Sequence, residues 1–220
     1  MFECRTGEFE LERYPRRANE ALQAWDAADK LILRQLEDRH ETVGDVLIVN
    51  DSWGALSTAL ADRRPSTLSD SYLAHAAIRE NLRRNHIDLA AVRPLTSFDP
   101  LPARIDIVVM KVPKSLALLE DQLHRIAPHL HDETTVLAAA MTRHIHTSTL
   151  DLFTKIVGRT RTSLAEKKAR LIFCAPDPNI RLPQNPWPKT YTVIPGREVV
   201  TNHAGVFAAE RLDGGARLLL

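Results

Sequence analysis

Hydrophobic and polar positions along this chain fall into two alternating rhythms. Compact apolar runs at Val46-Leu47-Ile48-Val49 and Ile105-Asp106-Ile107-Val108-Val109-Met110 have the character of strands buried on both faces. Spacings of three and four mark helices instead. Leu22, Trp25, Ala28, Ile32 and Leu36 predict one over residues 19–37, and Leu73, Ala76, Ala77 and Leu82 predict another over 72–85, with Ser71 as its cap. Further helices are expected at 55–62, from Ser115 through Ile126, and at 150–157. Shorter strands are expected at 8–13, 66–70, 91–95 and 134–141. Arg161 to Leu164 and Arg170 to Cys174, on either side of Glu166-Lys167-Lys168, read as a hairpin. Strands alternating with helices in this way make an α/β fold, doubly wound around a mainly parallel sheet, with an antiparallel hairpin near the C-terminal edge.

Prolines at 176, 178, 183, 186, 188 and 195 predict an extended surface connector over residues 175–195. The last residues, RLDGGARLLL, end on an apolar run with no polar tail, which leads to the expectation of a further domain beyond them. Residues 1–200 are therefore taken as one domain and 201–220 as a linker.

Composition narrows the class without naming a function. The 220 residues are 44% hydrophobic and 26% charged, as in an ordinary soluble globular chain. Twenty-nine Lys and Arg against 28 Asp and Glu leave a formal net charge of +1, so any nucleic-acid contact has to come from local basic clusters. Cys4 and Cys174 lie far apart with no CxxC, which suggests neither a zinc ribbon nor a redox pair and suits reduced thiols. The charged N-terminus has no apolar segment like that of a signal peptide, and no membrane partner is expected; the location expected is cytoplasmic.

In a doubly wound sheet, ligands sit at the carboxyl ends of the strands, where a glycine-rich first turn lets backbone approach a nucleotide. Aligned with the pattern V-L-D-L-G-x-G-x-G of active S-adenosylmethionine methyltransferases, the chain reads Val46-Leu47-Ile48-Val49-Asn50-Asp51-Ser52-Trp53-Gly54. Only the third glycine survives; Ile48 replaces the acid, and Asn50 and Ser52 replace the other two glycines. Trp53 is expected to lie over the altered pocket, with Trp25 in the core and Trp187 anchoring the connector. Ser69 stands where an acid holds the ribose hydroxyls. Asp70, one residue on, is read as a helix-entry residue in preference to a hydroxyl ligand. After the next buried strand, enzymes that methylate purine amines carry Asn-Pro-Pro-Phe or Asn-Pro-Pro-Tyr; here Lys111-Val112-Pro113-Lys114 takes its place. A lysine pair suits phosphate but cannot accept a hydrogen bond from an amine.

The segments LQAWDAADKLILRQL, VLIVNDSWGALSTALA, SDSYLAHAAIRENLRRN, MKVPKSLALLEDQL, HTSTLDLF and AEKKARLIFC resemble the N-terminal half of the bacterial rRNA guanine-N2 methyltransferases of the RlmG/RsmC family. The resemblance runs from Phe9 to about Arg217. It implies a Rossmann-like methyltransferase fold with a degenerate cofactor loop and no catalytic, cofactor-binding or metal residue in this chain. It further implies that S-adenosylmethionine and the catalytic Asn-Pro-Pro-Phe belong to a C-terminal domain beginning beyond Leu220. The implied partners are that domain and 23S rRNA. A 16S rRNA enzyme, or a structural domain without RNA contact, stands as the alternative.

Basic residues remain as candidate chemistry. Arg159, Arg161, Lys167, Lys168 and Arg170 place five positive charges within twelve residues, opposed only by Glu166, and Arg143 stands apart in Arg143-His144-Ile145-His146. If Arg161, Lys167, Lys168 and Arg170 share a face with Lys111, Lys114 and Arg143, they could hold rRNA phosphates. A solvated hairpin is the competing reading, and a solvated helix face is the reading for Arg79, Arg83 and Arg84. The pairs His129/His131 and His144/His146 lack a third ligand of suitable spacing, so no metal site is expected.

Overall fold

A computed structural model describes residues 1–38, 44–194, 198–208 and 211–219. An N-terminal hairpin, β1 (Phe2–Cys4) and β2 (Gly7–Phe9), precedes α1 (Ala27–Asp38). The body then runs β3 (Val46–Val49), α2 (Ala55–Ala59), β4 (Ser66–Leu68), α3 (Tyr72–Arg84), β5 (Arg93–Leu95), β6 (Ile107–Lys111), α4 (Leu116–Ile126), β7 (Thr135–Met141), α5 (Thr147–Ile156), β8 (Gly158–Thr162) and β9 (Ala169–Pro176). A second hairpin, β10 (Lys189–Ile194) with β11 (Glu198–Asn202), and α6 (Gly214–Leu219) follow.

The main sheet has seven strands in the order β5-β4-β3-β6-β7-β9-β8. Pairs from β5 to β7 are parallel, and β9 joins β7 and β8 antiparallel. The chain winds outward from β3 through β4 to β5, then returns to begin again at β6, so the switch in winding direction lies between β3 and β6. The apolar runs are buried as their composition dictates. Val46, Ile48, Ile107 and Val109 pack against α1 and α2, whereas Leu47, Val49, Val108 and Met110 face α4 and α5. Each fully buried aliphatic side chain of this kind contributes about 1.5–3 kcal/mol. Pro94 is accommodated because β5 is an edge strand.

Several expected elements shift. The first helix starts at Ala27 rather than near residue 19, leaving Leu22 62% exposed. A capping box explains the later start: Asp26 Oδ1 accepts from the Ala28 backbone N–H at 2.8 Å, and Asp29 Oδ2 accepts from that of Asp26 at 2.8 Å. Leu73 lies on the solvent side of α3, which buries Ala74, Ala76, Ala77, Ile78, Asn81 and Leu82. The strand expected over 8–13 ends at Phe9; its remainder is a strap crossing α3, where Asn85 and Asn81 side chains accept from the Glu10 and Glu12 backbone at 2.8 and 2.9 Å. The proline-rich connector runs only as far as Lys189, where β10 begins, and Pro195 lies outside the described residues. Residue 200 falls inside β11, and α6 occupies part of the stretch read as linker. Among the described residues no helix is long and apolar enough to cross a membrane.

Candidate functional site

The switch in winding direction opens the sheet at the carboxyl ends of β3 and β6, the place where this architecture receives ligands. Here the chain's own side chains cross that opening. Asn50, in a left-handed backbone conformation (φ 63°), donates from Nδ2 to the Lys111 carbonyl at 3.1 Å and to Gln122 Oε1 at 2.8 Å. Gln122 Nε2 returns a hydrogen bond to Asn50 Oδ1 at 2.9 Å, so a closed amide pair ties β3 to α4. Asp51, 2% exposed, accepts from the Gly54 and Ser57 backbone N–H groups at 2.9 and 2.8 Å and from the Ser57 hydroxyl at 2.8 Å. It therefore satisfies the start of α2 from inside the protein. Gly54 is kept for packing: its φ is 87°, and a Cβ there would lie 2.9 Å from the Ile78 Cα.

Lys111 completes the closure. Its Nζ lies 2.7 Å from Asp26 Oδ1 and 2.8 Å from Asp29 Oδ1, and its side chain is only 16% exposed. Burial pushes the Asp29 carboxyl up; Lys111 opposes the shift, Asp26 and Asp51 add to it, and the result is about 6. Burial also acts on Asp26, but the Lys111 ammonium outweighs it and holds that carboxyl below its usual 3.8. Burial likewise works against charged Lys111, yet Asp29 and Asp26 raise its pKa above the ordinary 10.5. Lys111 is thus spent on two carboxylates and does not meet the expectation of a phosphate contact.

These residues do not fit the methionine end of S-adenosylmethionine. A bare glycine turn is needed for close backbone approach, whereas Asn50 carries a side chain across the gap and Asp51 occupies the N–H groups of the turn. The ribose-binding position is likewise committed: Ser69 Oγ accepts from the Ser71 backbone N–H at 3.2 Å, and Asp70, instead of entering α3, accepts from the Ser97 backbone at 2.7 Å and from the Ser97 hydroxyl, pinning the loop after β5. Ser71, as expected, caps α3. Trp53 packs against the core beside α1 and α2, and the Arg13 guanidinium covers its ring at 4.2 Å.

The basic candidates divide into separate places. Lys114 and Arg143, both exposed, meet near His144 at the carboxyl ends of β6 and β7; burial first, then Arg143, Lys114 and His146, hold the His144 pKa below 6.5. Arg161 pairs in register with Phe173, on the α1 side of the sheet, and its guanidinium lies 4.2 Å over the Phe173 ring. Arg170 pairs with Ala140 and alternates to the opposite side, where Ile172 and Cys174 face α5. Lys167 and Lys168 form the exposed hairpin turn at φ 47° and 64°. The candidates therefore do not share one face. Arg84 is half-buried and joins Glu10 and Glu12 of the N-terminal strap, at 3.5 and 2.7 Å, instead of lying on a solvated face. Sequence reasoning also missed Asp26 and Asp29, although Asp-x-x-Asp before an apolar helix is a capping-box signal. His131 joins Asp106 at 3.0 Å, and among the described residues no group of three or more His, Cys, Asp or Glu could hold a metal ion.

The fold resembles that of known methyltransferases. It matches the T. thermophilus 16S rRNA N2 G1207 methyltransferase RsmC, in complex with AdoMet and guanosine, with a TM-score of 0.57 at 17% identity, over 72% of this chain and 45% of that one. It also matches the precorrin-6y C5,15-methyltransferase of Geobacter metallireducens with a TM-score of 0.56 at 14% identity, over 77% and 94% of the two chains. At sequence level, the chain is 52% identical over 221 residues to ribosomal RNA large subunit methyltransferase G of Streptomyces avermitilis, covering 97% of this chain and 58% of that protein. It is 48% identical over 216 residues to the protein of the same name from Klebsiella pneumoniae, covering 96% and 56%. The chain thus spans less than two-thirds of the length of these relatives. Residues 1–178 match the model of the RLMG N-terminal domain, and the chain belongs to that family.

Proposed function

We propose that this chain is the non-catalytic N-terminal domain of an S-adenosylmethionine-dependent rRNA guanine-N2 methyltransferase acting on 23S rRNA, where it aids RNA recognition and supports the catalytic domain. The observation that carries the reading is the closure between β3 and β6 by Asn50, Gln122, Lys111, Asp26 and Asp29. Internal hydrogen bonds and ion pairs thus occupy the place where the fold receives a cofactor elsewhere. Cofactor binding and transfer to the guanine amine are assigned to the part of the longer relatives that this chain does not span. The cytoplasm, where rRNA is made, is the expected location.

Calorimetric titration of the 220-residue chain with S-adenosylmethionine tests this. A flat titration is expected, and heat of stoichiometric binding would overturn the non-catalytic assignment. A purely structural role without RNA contact is favoured by one observation, the commitment of Lys111 to Asp26 and Asp29. The charge reversals Lys114→Glu and Lys168→Glu separate the two readings. They should weaken rRNA binding and lower its salt dependence if the domain touches RNA, and change neither if it does not.

A further inference from the structure

At the amino-terminal end of β7, opposite the closed edge, the α1 side of the sheet carries a groove of about 680 Å³. Its floor comes from Thr135 and Leu137 of β7, Phe173 of β9, and Arg159 and Arg161 of β8. α1 packs across β7 and β9, and β8 is the last strand of the sheet, so the helix layer ends beside the two arginines. We infer that this groove binds a single-stranded segment of RNA, with an unpaired base on the Arg161–Phe173 stack and phosphate on Arg159. The inference rests on the proposed RNA role of the domain.

Three features support this occupant. First, Arg161 and Phe173 are cross-strand partners and already form a cation–π pair at 4.2 Å. The ring orients the guanidinium as a flat, charged platform, and the arginine remains exposed to accept a base on its other side. Second, Arg159 lies two residues away on the same side of β8, roughly 6.6–6.8 Å along the strand, also exposed. Third, neither arginine has a salt-bridge partner among the described residues, whereas Arg34, Arg83, Arg84, Arg104 and Lys111 are all paired. Asp132 and Glu133, which precede β7, also line the groove, and β9 lies between them and β8, so a phosphate is favoured on the β8 side. Duplex RNA is disfavoured because its stacked bases cannot reach an aromatic–guanidinium platform.

The experiment measures binding of a fluorescein-labelled, unstructured ten-nucleotide RNA to the 220-residue chain, by anisotropy across a series of salt concentrations. Arg159→Glu with Arg161→Glu should lower the slope of log K against log salt by about 0.7, the value for the one single-strand phosphate contact placed on Arg159, and should weaken binding further through loss of the platform. Arg161→Lys keeps the charge but loses the flat platform; it should leave the slope unchanged while weakening binding about tenfold. Both substitutions are at exposed positions, and an unchanged urea midpoint checks that the variants fold. Binding by the unsubstituted chain that neither variant alters would overturn the groove while leaving RNA recognition by another surface. No binding by the unsubstituted chain would overturn both.

Discussion

Lys111, at the end of β6, and Asp29, in the first turn of α1, are joined across 2.8 Å although 82 positions separate them in sequence. Asp29 is also the residue that closes the capping box at the start of α1, so one carboxylate both begins a helix and neutralises a buried lysine. Replacing Lys111 by Met keeps the length of the side chain but leaves Asp29 buried without its counter-charge. Loss of one member of such a pair costs about 3–5 kcal/mol. The urea midpoint of Lys111→Met should fall accordingly at pH 8. Adding Asp29→Leu should recover much of that loss, because the unpaired charge is then gone as well. A Lys111→Met variant as stable as the parent would refute a structural role for the lysine.

The same cluster gives stability a defined pH dependence. The folded-state pKa of Asp29 is about 6, above the ordinary 3.8, so the folded protein holds a proton that the unfolded chain releases. The contribution of this group is fully present below 3.8, declines between 3.8 and 6, and is lost as pH rises through 6. Asp26, held below 3.8 through Lys111, acts oppositely: its contribution is present above 3.8 and lost as pH falls through its depressed value. Comparing the chain with Asp29→Asn isolates the first effect. The parent should gain stability relative to the variant as pH is lowered from 7 to 5, by at most about 1.4 kcal/mol per pH unit. A constant difference over that range would mean that Asp29 titrates no differently after folding.

Much of the fold was legible because its determinants are local. Apolar runs announced β3 and β6, and Ser71 and Ser115 marked the starts of α3 and α4, where their hydroxyls accept from Ala74 and Leu118 at 3.2 and 3.3 Å. The altered residues after β3 could also be read directly, because a side chain at Asn50 is incompatible with a bare glycine turn. The internal partners of those residues could not. Asn50 meets Gln122 72 positions away and Lys111 meets Asp26 85 positions away, and nothing local marks either pair. A lysine after a strand therefore looked like an exposed phosphate ligand. Strand alternation alone does not separate Arg161 from Arg170, because they lie on different strands and the register of β8 on β9 that settles it belongs to the folded sheet.

Asn50 and Gln122 provide a further test of the closure. Gln122 is 1% exposed, so removing the Asn50 side chain strands both ends of a buried amide. Asn50→Gly tolerates the left-handed backbone and isolates the loss of the hydrogen bonds. It should destabilise by about 2 kcal/mol, read as a lower urea midpoint with an unchanged slope. Asn50→Gly with Gln122→Leu should cost less than Asn50→Gly alone, since no polar group is then left unsatisfied. If the two substitutions simply add, the side chains do not act as a pair.

The two cysteines report on how firmly the far end of the sheet is held. Cys4 is half-buried in β1, whereas Cys174 is 5% exposed in β9, and burial pushes the Cys174 thiol up to about 11. The Thr160 hydroxyl, which donates to Cys174 Sγ at 3.3 Å, and the Gly158 carbonyl at 3.4 Å, which accepts from it, fix the sulfur between β8 and β9. Thiolate is the species that reacts, so both low exposure and a high pKa protect this residue. With a thiol reagent at pH 8, Cys4 should react first and Cys174 only through opening of the β8–β9 edge. The Cys174 rate should then follow urea concentration with the dependence of an unfolding step. Equal rates for the two thiols in native buffer would show that β8 detaches readily from β9. That edge would then be too loose to hold the Arg161–Phe173 stack in place.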